Sequence, residues 1–129
     1  MVPQEWIEHR RTGDREPLGW LRPEGDDWVA VSLLGRDLTG PVVWLTAEEA
    51  LDDTGLRWLA DAWMLDQPDG AAPLRVKIVH VAPDGVDVQT DDFGAIDAPV
   101  DVYALPWPAP AALRPRRADD PDGRVFPAR

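Results

Sequence analysis

Few side chains in this sequence could carry out covalent or acid–base catalysis. The 129 residues include two histidines, His9 and His80, a single serine, Ser32, and no cysteine. A thiol nucleophile, a disulfide and a cysteine-ligated zinc ion are therefore excluded. Ser32 lacks the flanking glycines of a hydrolase nucleophile turn, and the histidines are not at a metal-binding spacing. We expect no catalytic residue, no metal site and no cofactor.

One aspartate lies in a triplet that occurs in a known class of enzyme. The sequence Asp53-Thr54-Gly55 resembles the Asp-Thr-Gly triplet of retroviral-type aspartic proteases, which are homodimers whose two aspartates share a proton. The resemblance covers three residues. In that family the triplet follows a hydrophobic strand, whereas here it follows Ala50-Leu51-Asp52 at the end of a predicted helix. A helix that ends with Gly55 at the C′ position explains the triplet without catalysis.

The net charge of −11 is concentrated in the middle of the chain. Residues 1–22 contain four arginines and four acidic residues, and residues 114–129 contain five arginines and three aspartates. Residues 23–113 therefore carry a charge of −13. Because this field repels phosphate groups, we expect neither nucleic acid nor an anionic membrane as a partner.

The expected location follows from two missing signals. The sequence has no apolar run of 18 residues, the length that a membrane-spanning helix requires. The segment Met1–Arg11 has no apolar core of a secretory signal. We therefore expect a cytoplasmic protein.

Tryptophan is over-represented, with seven copies against two phenylalanines and one tyrosine. A core of this size needs three or four indoles, each of which buries about 200 Å². The surplus predicts a partly exposed aromatic patch, because tryptophan commonly anchors interfaces. Our candidates are Trp20, Trp28 and Trp107. Trp107 lies in Leu105–Pro110, a polyproline-II-like segment that could dock on its own domain or on a neighbouring chain.

Alternating hydrophobic residues and turn residues predict a β-rich chain with one helix. A capping box formed by Thr46 and Glu49 predicts a helix that begins after Thr46 and ends at Gly55. Residues 56–65 fit either a continued helix or a short helical turn to Ala60 followed by a strand, and we favour the second. The predicted strands are Glu5–Arg10, Leu18–Arg22, Trp28–Leu34, Val42–Leu45, Ala62–Asp66, Leu74–Ala82, Val86–Thr90 and Val100–Leu105.

The strands Leu74–Ala82 and Val86–Thr90 are predicted to form a hairpin. A three-residue Pro83-Asp84-Gly85 loop with a bulge pairs Ala82 with Val86 and His80 with Val88. Val100–Leu105 is predicted to pair with this hairpin. The core face of the hairpin is then formed by Val76, Ile78, Val86 and Val88.

These elements predict an α+β fold that is rich in β-structure. We expect a small antiparallel, barrel-like sheet of about six or seven strands, with one helix inserted near residues 46–60. Residues 1–106 are predicted to form a single globular domain, and residues 107–129 a tail rich in proline and arginine.

The function that the sequence favours is that of a non-catalytic interaction module. Its aromatic patch would bind a protein, either a second copy of the chain or a basic partner. Self-association through the proline-rich segment is the simplest version. Two alternatives are a small enzyme that uses aspartates with His9 or His80, and an acidic mimic or inhibitor that binds a basic protein.

Overall fold

The computed structural model describes residues 2–91 and 100–120. In these residues the chain forms one α-helix, α1 (Trp44–Thr54), followed by 3-10 turns at Arg57–Ala60 and Pro68–Gly70. Neither α1 nor any other described helix is long and apolar enough to cross a membrane. The strands are β1 (Ile7–Arg10), β2 (Pro17–Glu24), β3 (Asp27–Ser32), β4 (Trp63–Leu65), β5 (Leu74–Ala82), β6 (Gly85–Thr90), β7 (Val102–Leu105) and β8 (Leu113–Pro115).

The strands form two antiparallel sheets, so the predicted α+β class is confirmed and the predicted barrel is wrong. One sheet has the order β1-β2-β3, and the other has the order β7-β6-β5-β4-β8. Closure into a barrel would require a strand of one sheet to pair with a strand of the other, and no such pair occurs among the described strands. Strand β8 pairs with β4, with Leu65 opposite Leu113. Part of the predicted tail is therefore a strand of the second sheet.

The first sheet is covered on both faces. Trp20 lies opposite Val31, and both side chains are buried on one face. Leu21 lies opposite Ala30 on the other face, because side chains alternate along a strand. Helix α1 packs on this second face through the buried Leu51.

The second sheet buries one face in the main core. Its strands contribute alternate residues to this core, as a half-buried antiparallel sheet requires. Leu34, which follows β3, also packs there, so the core joins the two sheets. The buried residues of the main core are Leu34, Trp63, Leu65, Val76, Val86, Val88 and Leu113.

The helix begins earlier than its capping box predicts. Its N-cap is Val43, which forms no side-chain cap, so Thr46 lies inside the first turn. Val42 exchanges two backbone hydrogen bonds with Trp28, and Trp44 packs edge to face on the Trp28 ring at 4.7 Å. This tertiary packing starts the helix at Trp44, and the predicted strand Val42–Leu45 is wrong. Gly55 ends the helix as predicted, but it is the C-cap, with φ +57° and ψ −145°, and not a C′ residue in the left-handed helical conformation.

The predicted short helical turn to Ala60 and the strand after it are both confirmed, as a 3-10 turn and as β4.

The register of the β5–β6 hairpin differs from the prediction. Val86 pairs with Val81, and Val88 pairs with Ile78. The loop contains two residues rather than three, because Gly85 already pairs with Ala82. A bulge at Val79 then restores the alternation. The predicted core face is therefore right, although the pairs that form it are different. Strand β7 pairs with β6 as predicted.

Candidate functional site

The predicted binding residues Trp20, Trp28 and Trp107 do not form one surface patch. Trp20 is only 7% exposed, and it packs edge to face on Trp107 with ring centroids 5.3 Å apart. Trp28 lies in a different hydrophobic cluster, against Trp44 under helix α1. Their role in binding stays a prediction, whereas their packing within the chain is evident.

The proline-rich segment docks on its own domain. The Trp107 indole N–H donates to the Leu33 carbonyl oxygen at 2.8 Å, and the Ala109 amide donates to the Leu34 carbonyl oxygen at 2.8 Å. Trp107 also contacts both the main core and the cluster around Trp20. Residues 107–109 therefore lie along the segment that follows β3 and hold the two sheets together.

A third tryptophan pair, which the sequence analysis did not select, lines a cleft between the sheets. Trp58 and Trp63 pack edge to face with ring centroids 6.0 Å apart. The cleft has a volume of about 330 Å³, and most of its surface is apolar. It is lined by Ser32, Leu34, Arg36, Asp37, Leu38, Thr54, Trp58, Asp61, Trp63 and Pro115.

Local hydrogen bonds fix the orientation of both indoles. The Trp58 N–H donates to the Gly55 carbonyl oxygen at 3.0 Å, and the Trp63 N–H donates to the Trp58 carbonyl oxygen at 3.0 Å. Since both indole donors are already used, the surface that they offer to the cleft is hydrocarbon. The cleft therefore has a rigid apolar wall.

The polar side chains of the cleft differ in how fully they are paired. Asp37 accepts two hydrogen bonds from Arg22, at 2.8 and 3.2 Å, so its carboxylate is neutralised by an ion pair. Ser32 is 5% exposed and is part of the lining. Asp61 is exposed.

Arg36 is the cation of the cleft. Its Nη2 donates to the carbonyl oxygens of Pro110, at 2.7 Å, and of Leu113. Within residues 2–91 and 100–120, no carboxylate forms an ion pair with Arg36. Burial lowers the pKa of the Arg36 guanidinium below its usual value, and no neighbouring charge offsets this effect.

A contrasting arginine shows what a fully paired guanidinium looks like in this fold. Arg114 donates to Asp120 at 2.7 and 2.8 Å and to Asp66 at 3.0 Å. These contacts raise the pKa of Arg114 and hold the pKa of the Asp120 carboxyl well below its usual range. The Asp120 side chain is 5% exposed. The Arg114–Asp120 ion pair therefore connects β8 to the residues that follow it.

The Arg114–Asp120 pair predicts a loss of stability in acid. A carboxyl whose pKa is lower in the folded than in the unfolded chain stabilises the fold fully above its unfolded pKa, about 3.9. That contribution disappears as the pH falls below this value toward the depressed folded pKa. We expect the urea midpoint of the native protein to fall more steeply below pH 4 than that of Asp120→Asn. Asp26→Asn, in the exposed β2–β3 turn, is the control and should follow the native curve.

The two histidines lie apart from the cleft. His9 on β1 contacts two carboxylates of helix α1, Asp52 at 2.9 Å and Glu48 at 3.7 Å. Glu48 and Asp52 are one helical turn apart, so they face the same side. In the part of the chain that is described, no group of three or more His, Cys, Asp or Glu side chains could hold a metal ion. His9 therefore connects β1 to α1.

His80 and the aspartate of the Asp-Thr-Gly triplet occupy exposed positions. The His80 side chain is 51% exposed, and its Nε2 lies 3.3 Å from Asp84 in the neighbouring turn. Asp53 is exposed in the last turn of α1. The structure thus brings neither histidine next to Ser32 or to the cleft.

The sequence offered little signal for the cleft. Arg36 follows a glycine at the end of a strand, which is an ordinary turn position. Trp58 and Trp63 lie in the stretch whose secondary structure the spacing left ambiguous. No family model, no curated protein and no solved structure matches the chain.

Proposed function

We propose that this protein is a non-catalytic interaction module that binds an apolar group of its partner in the cleft between the two sheets. The observation that carries this proposal is the rigid wall formed by Trp58 and Trp63 around a volume of about 330 Å³. Ligand sites are typically concave, mostly apolar and furnished with a few polar groups that orient the ligand. The cleft has each of these properties.

The position of the cleft also favours binding. It is lined by Ser32 at the end of β3, by Trp63 in β4 and by Pro115 in β8. Both sheets and the C-terminal strand therefore contribute to one site, and sites between packed units are common. In the Trp20–Trp107 and Trp28–Trp44 pairs the rings pack on each other within the chain. In the cleft Trp63 is buried and Trp58 is half-buried, so Trp58 supplies most of the aromatic surface that we propose for binding.

A small neutral probe, 3-phenylpropionamide, tests this function. We expect it to bind with a dissociation constant on the order of 1 mM, as a ligand of this size allows. It should shift the indole N–H signals of Trp58 and Trp63 in ¹H–¹⁵N NMR spectra more than those of the other five tryptophans. Leu38→Asp places a charge in the cleft wall, and we expect it to weaken binding at least tenfold.

The matched control is Val43→Asp, which introduces the same charge at a residue that is 62% exposed and does not line the cleft. This variant should bind the probe as the native chain does. Absence of any shift at Trp58 and Trp63, with the protein folded, would refute the proposed function. The enzyme and the acidic mimic inferred from the sequence stay predictions that no particular contact favours.

A further inference from the structure

Arg36, the cation of the cleft, forms no ion pair with a carboxylate of the described residues. Arg36 lines the cleft and is half-buried, and the described chain supplies no carboxylate to it. Five other arginines, Arg10, Arg11, Arg22, Arg75 and Arg114, donate to aspartate or glutamate side chains. In a chain with a net charge of −11, a carboxylate partner for Arg36 would be readily available. Its absence at this one apolar site is therefore informative.

Backbone contacts use only part of the Arg36 guanidinium. Both of its hydrogen bonds are donated by Nη2, to the carbonyl oxygens of Pro110 and Leu113. A guanidinium has five N–H donors in a planar fork, so Nη1 and Nε retain donors. Carbonyl oxygens supply partial negative charge but do not neutralise the cation. The remaining donors match the two oxygens of a carboxylate.

We infer that the cleft takes an organic carboxylate with an apolar body, whose carboxylate is held by Arg36 and whose body lies on Trp58 and Trp63. This inference rests on the proposed function and names the chemical class of its ligand. Ser32 is a further polar residue in the lining. The net negative charge opposes an anion at long range, but salt screens that repulsion beyond about 8 Å. Inside the cleft Asp37 is paired with Arg22 and Asp61 is exposed to solvent, whereas the Arg36 guanidinium is half-buried.

A series of probes of the same shape tests the inference on the native chain. We expect 3-phenylpropionate to bind at least tenfold more tightly than 3-phenylpropionamide, because a hydrogen bond to a charged group is stronger than one to a neutral group. The readout is the saturable shift of the Trp58 and Trp63 indole signals. A peptide acid, N-acetyl-Gly-Phe, and its amide form a second pair. Tighter binding of the peptide acid than of 3-phenylpropionate assigns the carboxylate to a chain terminus, and the reverse assigns it to a small molecule.

Variants then identify the anchor. Arg36→Gln should abolish the preference for the acid over the amide, and Arg36→Lys, which keeps the charge but loses the planar fork, should reduce it. The matched control is Arg57→Gln, an exposed arginine of the 3-10 turn that does not line the cleft. Because Arg36 also holds Pro110 and Leu113, the backbone amide signals of Ala109 and Leu113 check that each variant keeps its fold.

The outcomes separate the inference from the proposed function. Equal binding of the acid and the amide would refute the inferred preference for a carboxylate. The proposed function, binding of an apolar group in the cleft, would still stand. If 3-phenylpropylamine binds more tightly than 3-phenylpropionate and Asp61→Asn abolishes this preference, the ligand is a cation and the inferred carboxylate is refuted. Failure of every probe to shift Trp58 and Trp63 overturns the inference and the proposed function together.

Discussion

Replacing Gly19 with alanine is expected to destabilise the protein by about 2–6 kcal/mol. Gly19 lies in β2 with φ +149°, a conformation that side chains with a Cβ rarely adopt. A Cβ at this position would lie 2.1 Å from the Val31 carbonyl oxygen and 2.9 Å from Leu51 Cδ2. The carbonyl belongs to the neighbouring strand and cannot move without breaking the sheet. The substitution therefore adds backbone strain to a steric clash.

Substitutions at two other glycines separate the backbone strain from the steric clash. Gly25 has φ +61° but open space around it, so Gly25→Ala should lose only about 1 kcal/mol, from the backbone. Gly40 has open space and no positive φ, so Gly40→Ala should stay within about 0.5 kcal/mol of the native chain. Urea unfolding measured by circular dichroism gives all three values. A Gly19→Ala protein as stable as Gly40→Ala would contradict the close packing of β2, β3 and α1.

Removal of the Trp20 side chain is expected to destabilise the protein by about 3–5 kcal/mol. Trp20 is buried against Val29 and Val31 on the face of the first sheet that α1 leaves free. Its ring also packs on Trp107, which contacts the main core. Trp20→Ala should therefore loosen the C-terminal segment as well as the first sheet, because one contact connects them. Protection of the Ala109 amide from hydrogen exchange should fall.

A double-mutant cycle isolates that connection. Trp20→Ala and Trp107→Ala should couple by about 0.5–1.5 kcal/mol, the value of an aromatic pair beyond its buried area. Val43→Ala, at a position that is 62% exposed, is the control and should change stability by less than about 0.5 kcal/mol. Strictly additive effects of the two tryptophan substitutions would show that the rings do not stabilise each other.

The secondary structure was largely predictable because its signals are local. Leu74–Ala82 has the predicted bounds of β5, since β-branched residues at alternate positions favour a strand without help from the rest of the chain. The start of α1 was not predictable from its capping box. Trp44 enters the helix because Trp28, distant in sequence, provides an aromatic face for it. Packing of this kind overrides a local cap.

The binding site was less predictable than the fold. The surplus of tryptophan indicated that some indoles would be available for binding, but composition does not tell which ones are paired internally. Trp107 is bound to Leu33 across 74 residues of sequence, and Arg36 is bound to Leu113 across 77. Contacts over such separations depend on which strands become neighbours, and strand order leaves no local trace in the sequence.

By itself the sequence determined most of the strand-forming segments, the helix that ends at Gly55, the acidic middle of the chain, the absence of cysteine and the scarcity of histidine and serine. All of these follow from residue type and short-range spacing. Only the tertiary structure decided that β8 pairs with β4 and that the described strands form two sheets instead of a barrel. The β4–β8 pairing places Pro115 opposite Trp63, and both residues line the cleft together with Arg36. The physical reason is that strand order and burial depend on contacts among residues distant in sequence, whereas strand propensity depends on each residue and its near neighbours.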